Sequence, residues 1–237
     1  MKRPLPRLAI AFDGVSVEPL EPILDQLHGL PILAKVGLSL YTAVGPSIVH
    51  HMRMAGFDVF LDLKFHDIPH QVKLAVAAAA KLDVALLTVH AAGGRAMLEA
   101  AAQAGHGKTR VVAVSVLTSL GAADLLEIGI DGDLAATVAK RVQLAHDCGL
   151  AGAVMSPQEL HLVRDYPASF VRVVPGIRAT AGGDDQTRTA TAREAAAAGA
   201  TVLVVGRPVL SAQDPRAAAE KLLAEIAASG ESHVATR

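Results

Sequence analysis

Short apolar runs alternate with helical patterns along the chain, and this alternation restricts the possible folds more than any other feature. Eight runs are strand-like, and each is followed by a helical stretch. The runs are continuously apolar, as expected of parallel strands covered on both faces. The predicted strands are 8–13, 32–37, 59–64, 85–90, 111–118, 152–156, 171–176 and 202–206, and the predicted helices are 18–28, 41–55, 71–81, 95–104, 131–147, 157–164, 190–198 and 214–228.

Eight strand–helix units predict an α/β fold, a single (β/α)8 TIM barrel. An open doubly wound sheet is the alternative. However, the first strand leads into Asp13-Gly14-Val15-Ser16, which lacks the glycine pattern of a dinucleotide-binding turn. No Pro/Gly/Ser-rich linker or charge run divides the chain, so we expect one domain spanning 1–237.

Composition excludes several classes of protein. Hydrophobic residues make up 51% of the chain, which excludes intrinsic disorder. A formal net charge of −1 and only 3% aromatic residues argue against nucleic-acid binding. A single cysteine, Cys148, excludes an internal disulfide framework and fits a reducing cytoplasm. Because the apolar segments are too short to span a bilayer, we expect a cytoplasmic protein without a membrane partner.

Polar side chains close the otherwise apolar strands, and barrel enzymes work at those carboxyl ends. One such residue could be a surface ion pair that caps the barrel, but so many together indicate a functional site. The polar residues are Asp13, Lys35, Asp62, Lys64, Asp67, His90, Thr118, Ser119, Arg178 and Arg207, and the last two arginines are accompanied by Gly176 and Gly206.

The third strand carries the most informative of these residues. Asp62 and Lys64 are two positions apart, so in a strand they share a face. We expect Lys35, from the neighbouring strand, and Asp67 to complete a cluster of alternating charge. At an effective dielectric constant near 20, opposite charges about 4 Å apart attract by roughly 4 kcal/mol, which favours the charged form of all four side chains.

Such a cluster suits a reaction that builds negative charge on carbon. A fixed carboxylate can repel a substrate carboxylate, and an adjacent ammonium can stabilise and protonate the resulting carbanion. We therefore predict decarboxylation without a Schiff base, because a paired, protonated lysine is a poor nucleophile.

An arginine follows a glycine closely after both of the last two predicted strands, in Gly176-Ile177-Arg178 and in Gly206-Arg207. Barrels often bind phosphate in the loops after these two strands. Glycine lets backbone N–H groups approach an anion, and arginine adds a permanent forked charge. The alternative for these glycines is a pair of tight turns. The segment 179–187, which includes Gln186, has the composition of a mobile cover.

Five segments together resemble the orotidine 5′-phosphate decarboxylase family, which makes UMP. They follow the family's order over nearly the whole chain, and the D-x-K-x-x-D pattern is the most specific of them. The segments are Lys-Val-Gly (35–37), Leu-Asp-Leu-Lys-Phe-His-Asp-Ile-Pro (61–69), Val-Leu-Thr-Ser (116–119), Pro-Gly-Ile-Arg (175–178) and Gly-Arg-Pro (206–208).

The resemblance implies a role for each matching residue. Lys64 is the expected proton donor to C6, and Asp62 is expected beside the substrate carboxylate. Asp67 and Ile68 are expected to reach the partner's site across a homodimer interface. The remaining implied contacts are Lys35 and Asp13 to ribose, Thr118 to the pyrimidine, Gln186 to phosphate and base, and Arg178, Gly206 and Arg207 to phosphate. The resemblance also implies that neither a metal nor an organic cofactor is needed.

One position departs from the family pattern. Many members follow Ile-Pro with Asn-Thr, whereas this chain has His70-Gln71. The threonine is a ligand contact in the family, so the resemblance implies that Gln71 takes its place, and a glutamine amide can donate a similar hydrogen bond.

Two other functions remain open from sequence. A metal-dependent sugar-phosphate decarboxylase, aldolase or epimerase on the same barrel could use His66 and His90 as ligands beside Asp62. However, Lys35 would repel a cation there. A non-catalytic barrel that binds UMP is the second alternative, although it has no reason to keep Lys64 in a charged cluster.

Overall fold

The computed structural model describes residues 4–14, 16–105, 107–178 and 189–231. Eight parallel strands form a closed barrel in chain order, and β1 pairs with both β2 and β8. The predicted (β/α)8 barrel is therefore confirmed, and the open sheet is wrong. The strands are β1 (Leu8–Phe12), β2 (Ile32–Gly37), β3 (Asp58–Phe65), β4 (Leu86–His90), β5 (Arg110–Val114), β6 (Gly152–Val154), β7 (Val171–Val174) and β8 (Val202–Val205).

Helices connect the strands and surround the barrel. Short 3-10 segments cover Glu18–Leu20, Ala91–Gly93 and Pro157–Val163. No helix within the described ranges is both long and apolar enough to cross a membrane. The α-helices are α1 (Glu21–Leu27), α2 (Leu38–Val44), α3 (Ser47–Met54), α4 (Pro69–Lys81), α5 (Gly94–Ala104), α6 (Ala122–Glu127), α7 (Leu134–Asp147), α8 (Ala192–Ala197), α9 (Arg207–Leu210) and α10 (Pro215–Glu231).

Some predicted helices differ from the observed ones. The helix predicted over 41–55 is two helices, because Gly45 adopts a left-handed φ of 75° and Pro46 follows it. The helix predicted over 131–147 begins only at Leu134, where the Asp133 carboxylate accepts a hydrogen bond from the Ala136 N–H at 3.0 Å. The segment predicted as a helix over 157–164 is a 3-10 helix.

The fifth strand is shorter than predicted. We expected it to continue to Thr118, but it ends at Val114. The carbonyl of Ser115 accepts a hydrogen bond from the Arg141 guanidinium of α7 at 2.7 Å, so it no longer serves the sheet. The chain then leaves the barrel, and Thr118 follows in the loop.

Side chains of each strand alternate between the barrel interior and the layer beneath the helices. Leu33 in β2 and Phe60 in β3 belong to the interior cluster. Because the alternation has a period of two, Lys35 and Asp62, each two residues later, also point into the barrel at its carboxyl end. Both faces of the strands are buried, which accounts for their continuously apolar sequences.

Candidate active site

A cavity of about 410 Å³ opens at the carboxyl ends of the strands. Lys35, Asp62 and Lys64 lie on one part of its wall, and the loops after β7 and β8 form another. The cavity thus brings together most of the residues that the sequence singled out. Its lining includes Asp13, Lys35, Asp62, Lys64, Thr118, Ser119, Gly176, Arg178, Gly206 and Arg207.

The charged side chains form a continuous chain of ion pairs. The Lys64 ammonium lies 2.9 Å from Oδ2 of Asp62, and the Lys35 ammonium lies 3.5 Å from the same oxygen. Lys35 also lies 3.8 Å from Oδ1 of Asp13. The side chain of Asp13 is 64% exposed, whereas those of Lys35 and Asp62 are 10% and 13% exposed. The cluster therefore extends from solvent at Asp13 into the barrel.

Gly37 makes room for this cluster. A Cβ atom at this position would lie 3.2 Å from Oδ1 of Asp13 and 3.4 Å from the Lys35 ammonium. The contact with Asp13 is tighter than most Cβ contacts, so a larger residue would require this carboxylate to shift by a few tenths of an ångström, whereas the contact with Lys35 is at the limit of ordinary packing. The close approach gives a physical reason for glycine directly after Lys35 and Val36.

Lys64 does not continue β3 as a regular strand, which corrects the expectation that simple alternation sets its direction. Its φ is 50°, in the left-handed region that a non-glycine residue rarely adopts. The register between β3 and β4 shifts here, because Leu61 pairs with Leu87 and Phe65 pairs with Val89. A bulge, and not a regular pleat, therefore places the Lys64 ammonium against Asp62.

Thr88 of β4 is hydrogen-bonded to both Lys64 and Asp62, and sequence reasoning did not single it out. Its hydroxyl accepts a hydrogen bond from the Lys64 backbone N–H and donates one to Oδ1 of Asp62, both at 2.9 Å. The side chain is fully buried. A polar residue in the middle of the apolar run Leu86-Leu87-Thr88-Val89 was the available sequence signal, because a buried hydroxyl needs partners.

Opposing influences act on the Asp62 carboxylate. Burial is the largest influence on its pKa and raises it. The positive charges of Lys35 and Lys64, with hydrogen bonds from Lys64 and Thr88, together outweigh burial and hold the pKa of Asp62 below its usual range. The residue is therefore ionised at neutral pH.

His90 stands at the end of β4 beside this cluster. Its ring stacks on that of His66 with centroids 5.3 Å apart. Burial chiefly lowers the pKa of His90 to about 4, and the charges of His66, Arg141 and Lys64 add to the effect. The ring is neutral at neutral pH. Within the described ranges, no three His, Cys, Asp or Glu side chains are grouped to hold a metal ion.

The loops after β7 and β8 bring two glycines and two arginines to the cavity wall, together with Pro175, Ile177 and Pro208. Gly176 lies two residues after the end of β7 and has a φ of 79°, a conformation that favours glycine. The Arg178 N–H donates a hydrogen bond to the Ala190 carbonyl at 3.0 Å. This bond joins the residue after Ile177 to the residue before Thr191. Gln186 and the predicted cover 179–187 fall outside the residues that the structure describes.

Three predicted site residues do not line the cavity. Asp67 and Gln71 are exposed, and Ile68 is 63% exposed. The carboxylate of Asp67 accepts a hydrogen bond from the Ile68 N–H at 2.6 Å, and none of the ion pairs found among described residues joins it to Lys35 or Lys64. Asp67 therefore does not join Lys35, Asp62 and Lys64 within its own chain, and its expected contribution to a partner's site stays a prediction.

Comparison with known proteins gives one consistent result. Residues 6–222 match the model of the orotidine 5′-phosphate decarboxylase / HUMPS family. The chain is 47% identical over 230 residues to the orotidine 5′-phosphate decarboxylase of Halorhodospira halophila, a match that covers 95% of this chain and 98% of that protein. It is 44% identical over 224 residues to the enzyme of the same name from Opitutus terrae, covering 92% and 97%.

A solved structure agrees with these relatives. The crystal structure of orotidine 5′-phosphate decarboxylase from Lactobacillus acidophilus superimposes with a TM-score of 0.81 at 33% identity. The match covers 94% of this chain and 99% of that one. Sequence and fold therefore give the same relationship over almost the full length of both proteins.

Proposed function

The chain belongs to the orotidine 5′-phosphate decarboxylase family, and we propose that its cluster of Lys35, Asp62 and Lys64 carries out the chemical step. The reaction is the decarboxylation of orotidine 5′-monophosphate (OMP) to UMP in pyrimidine biosynthesis. The observation that supports these roles is the ion-pair chain, which faces the same cavity as the Gly/Arg loops after β7 and β8.

In the proposed reaction, the Asp62 carboxylate lies beside the carboxylate of bound OMP. The bond from C6 to the carboxylate carbon breaks, CO2 leaves, and the electron pair stays on C6. The Lys64 ammonium stabilises this negative charge and then transfers a proton to C6, which gives UMP. The neutral amine regains a proton from water, so one proton is consumed for each CO2 released.

The other side chains near the cluster bind the substrate in this proposal. Lys35 and Asp13 bind the ribose hydroxyls, and Thr118 contacts the pyrimidine. Lys35 is suited to a fixed contact because it is 8% exposed and held between two carboxylates. Asp13 is exposed at the cavity edge, where an incoming ligand can reach it.

The phosphate group binds at the opposite part of the cavity, between the loops after β7 and β8. Arg178 and Arg207 supply positive charge, and Gly206 allows close approach of the backbone. The family resemblance also gives Gln186 a contact to phosphate and base, and this residue lies outside the part of the chain that the structure describes. Binding energy from this end, which takes no part in bond breaking, is used to stabilise the transition state.

We propose a homodimer in which Asp67, Ile68 and Gln71 complete the partner's site. Asp67 and its neighbours lie outside their own cavity and are exposed. Exposed apolar side chains also occur in this region, at Ile68 (63% exposed) and at Leu74 of α4 (52% exposed). A surface with such side chains is suited to association with a second copy.

The proposed reaction needs neither a metal nor an organic cofactor, because the ammonium of Lys64 supplies both charge stabilisation and the proton. We propose that the protein acts in the cytoplasm as one catalytic domain of 1–237. The single cysteine fits a reducing compartment, and the family match from residue 6 to residue 222 leaves little of the chain outside the barrel.

The direct test is release of CO2 from OMP by the purified protein. Activity is expected without added metal and in the presence of EDTA. Lys64→Ala should lose at least about 100-fold in kcat, in line with a general acid, while the control Lys140→Ala, on the exposed face of α7, keeps wild-type activity. A strong loss with EDTA would favour the sugar-phosphate alternative. UMP binding without turnover would favour the non-catalytic barrel.

A further inference from the structure

The bulge in β3 takes the Lys64 backbone N–H out of the regular hydrogen-bond pattern of the sheet. Leu61 pairs with Leu87 and Phe65 with Val89, so residues 62–64 of β3 stand opposite Thr88 alone. In a regular ladder, backbone carbonyls of β4 would accept the N–H groups of β3. The Lys64 N–H instead donates to the hydroxyl of Thr88. The side chain of Thr88 thus replaces a sheet hydrogen bond at the position where Lys64 has a φ of 50°.

The hydroxyl of Thr88 also orients the carboxylate of Asp62. A hydroxyl has one proton to donate, and an N–H can only donate, so the roles in this network are determined. Thr88 accepts from Lys64 and gives its proton to Oδ1 of Asp62. Oδ2 of Asp62 remains to receive the Lys64 ammonium at 2.9 Å. One hydroxyl therefore sets both the backbone of Lys64 and the orientation of the carboxylate that holds its ammonium.

We propose that Thr88 is a positioning residue for decarboxylation, which aligns Lys64 and Asp62 for the reaction through its two hydrogen bonds. This inference rests on the proposed function of those two residues. Thr88 is not among the residues that line the cavity, and it is 0% exposed. It therefore acts through the charged pair and not by touching substrate. Because left-handed φ values store strain in a non-glycine residue, the Lys64 backbone needs such a support.

Thr88→Val keeps the branched shape and removes the hydroxyl. The Lys64 N–H then loses its partner, and Asp62 loses one of its donors. We expect kcat to fall about 10- to 100-fold, the equivalent of one hydrogen bond to a charged group, while the KM for OMP changes less than about 3-fold. Binding of UMP should be unchanged, because the phosphate and ribose contacts stay in place. Thr88→Ser, which retains the hydroxyl, should recover most of the activity.

The dependence of kcat on pH tests the positioning role, because it would not change if Thr88 only stabilised the fold. The charged groups that face Asp62 are Lys35 from β2 and Lys64 from β3, with Asp13 behind Lys35 and His90 beyond Lys64. These charged groups remain in Thr88→Val, so a change in the pKa of Asp62 reports loss of the hydrogen bond from Thr88 and not loss of a neighbouring charge. The acid limb of the kcat profile should move to higher pH, because a carboxylate with fewer donors is protonated more easily.

Thr109→Val is the matched control. Thr109 is also a buried threonine, 2% exposed, and its hydroxyl donates to the Val84 carbonyl at 2.8 Å before β5 begins. Its loss should lower the thermal midpoint without changing kcat or the pH profile. If Thr88→Val does not fold, Thr88→Cys retains a weaker hydrogen-bonding group of similar size and should show the same changes to a smaller extent.

The outcomes separate this inference from the proposed function. Wild-type kcat and an unmoved acid limb in folded Thr88→Val would overturn the positioning role, even if Lys64→Ala is inactive. Equal defects in Thr88→Ser and Thr88→Val would also overturn it, since the hydroxyl would then be irrelevant. Full activity of Lys64→Ala would instead refute the proposed function. A lower kcat, a stable KM, a shifted limb and recovery in Thr88→Ser support the inference.

Discussion

The Lys64 ammonium lies 2.9 Å from the carboxylate of Asp62, a residue only two positions earlier in the same strand. The Lys35 ammonium approaches the same oxygen at 3.5 Å. One carboxylate thus lies between two cations, and it pairs with Lys64 while sharing Lys35 with Asp13. Removal of this charge is therefore the most informative single change in the cluster.

Asp62→Asn should lower kcat by at least about 100-fold, comparable to loss of a general acid. The amide keeps the shape but neither attracts the lysines nor repels a substrate carboxylate. For that reason, the KM for OMP should not rise. Steady-state kinetics with OMP measure both values. Asp25→Asn, on the exposed surface of α1, is the control and should behave as wild type. A loss confined to KM would contradict the role of Asp62 in the chemical step.

Arg207→Ala should weaken use of OMP by about 10- to 100-fold in kcat/KM, because one charged hydrogen-bond donor to phosphate is lost. The test compares OMP with orotidine, which lacks the phosphate group. The variant and the wild type should act on orotidine at similar low rates. Arg164→Ala, an exposed arginine after the segment Pro157–Val163, is the control. An equal loss with both substrates would place Arg207 outside the phosphate site.

A shared active site predicts that two inactive variants complement each other. Lys64→Ala mixed with Asp67→Ala should regain roughly a quarter of wild-type activity, because half of the dimers are hybrids and each has one intact site of two. Lys64→Ala mixed with Asp62→Ala is the control and should stay inactive, since both residues belong to one chain's cluster. Absence of recovery, with subunit exchange demonstrated by native mass spectrometry, would argue against sharing.

The sequence predicted the barrel because eight apolar runs with intervening helices leave few other ways to bury so much surface. It also predicted Lys35, Asp62 and Arg207 in one cavity, because the carboxyl ends of parallel strands meet at one end of a barrel. It could not predict the bulge at Lys64, because the left-handed φ of this lysine occurs together with a register shift against β4 and a hydrogen bond to Thr88, and both involve another strand. Periodicity describes regular strands and contains no information about such a partner.

Asp67 shows a second limit of predicting the site from the sequence. Its spacing from Lys64 suggested one cluster, but the chain turns away after Phe65 and leaves Asp67 exposed. A residue that functions across an interface cannot be distinguished by spacing from one that serves its own chain. The family resemblance supplied that expectation, and only the mixing experiment tests it.

His90 should make the folded state less stable in mild acid. Its pKa is lowered from 6.5 to about 4, chiefly by burial, so between these values the unfolded chain binds more protons than the folded one. Stability that is complete above pH 6.5 is therefore lost as the pH falls toward about 4. Since the ring is partly exposed, we expect a loss of about 1 to 2 kcal/mol, which is less than the full shift would give.

The Nδ1 atom of His90 accepts a hydrogen bond from the Ala92 N–H at 3.4 Å. His90→Asn keeps an acceptor for this N–H but has no group that takes up a proton between pH 4 and pH 7. The free energy of unfolding, measured in urea between pH 7 and pH 4.5, should fall less steeply than in wild type. The exposed His50 provides the matched control, because His50→Asn should leave the slope unchanged. An NMR titration gives an independent check. A ring that titrates near 6.5 in the folded protein would contradict the prediction, because burial would then have no effect on His90.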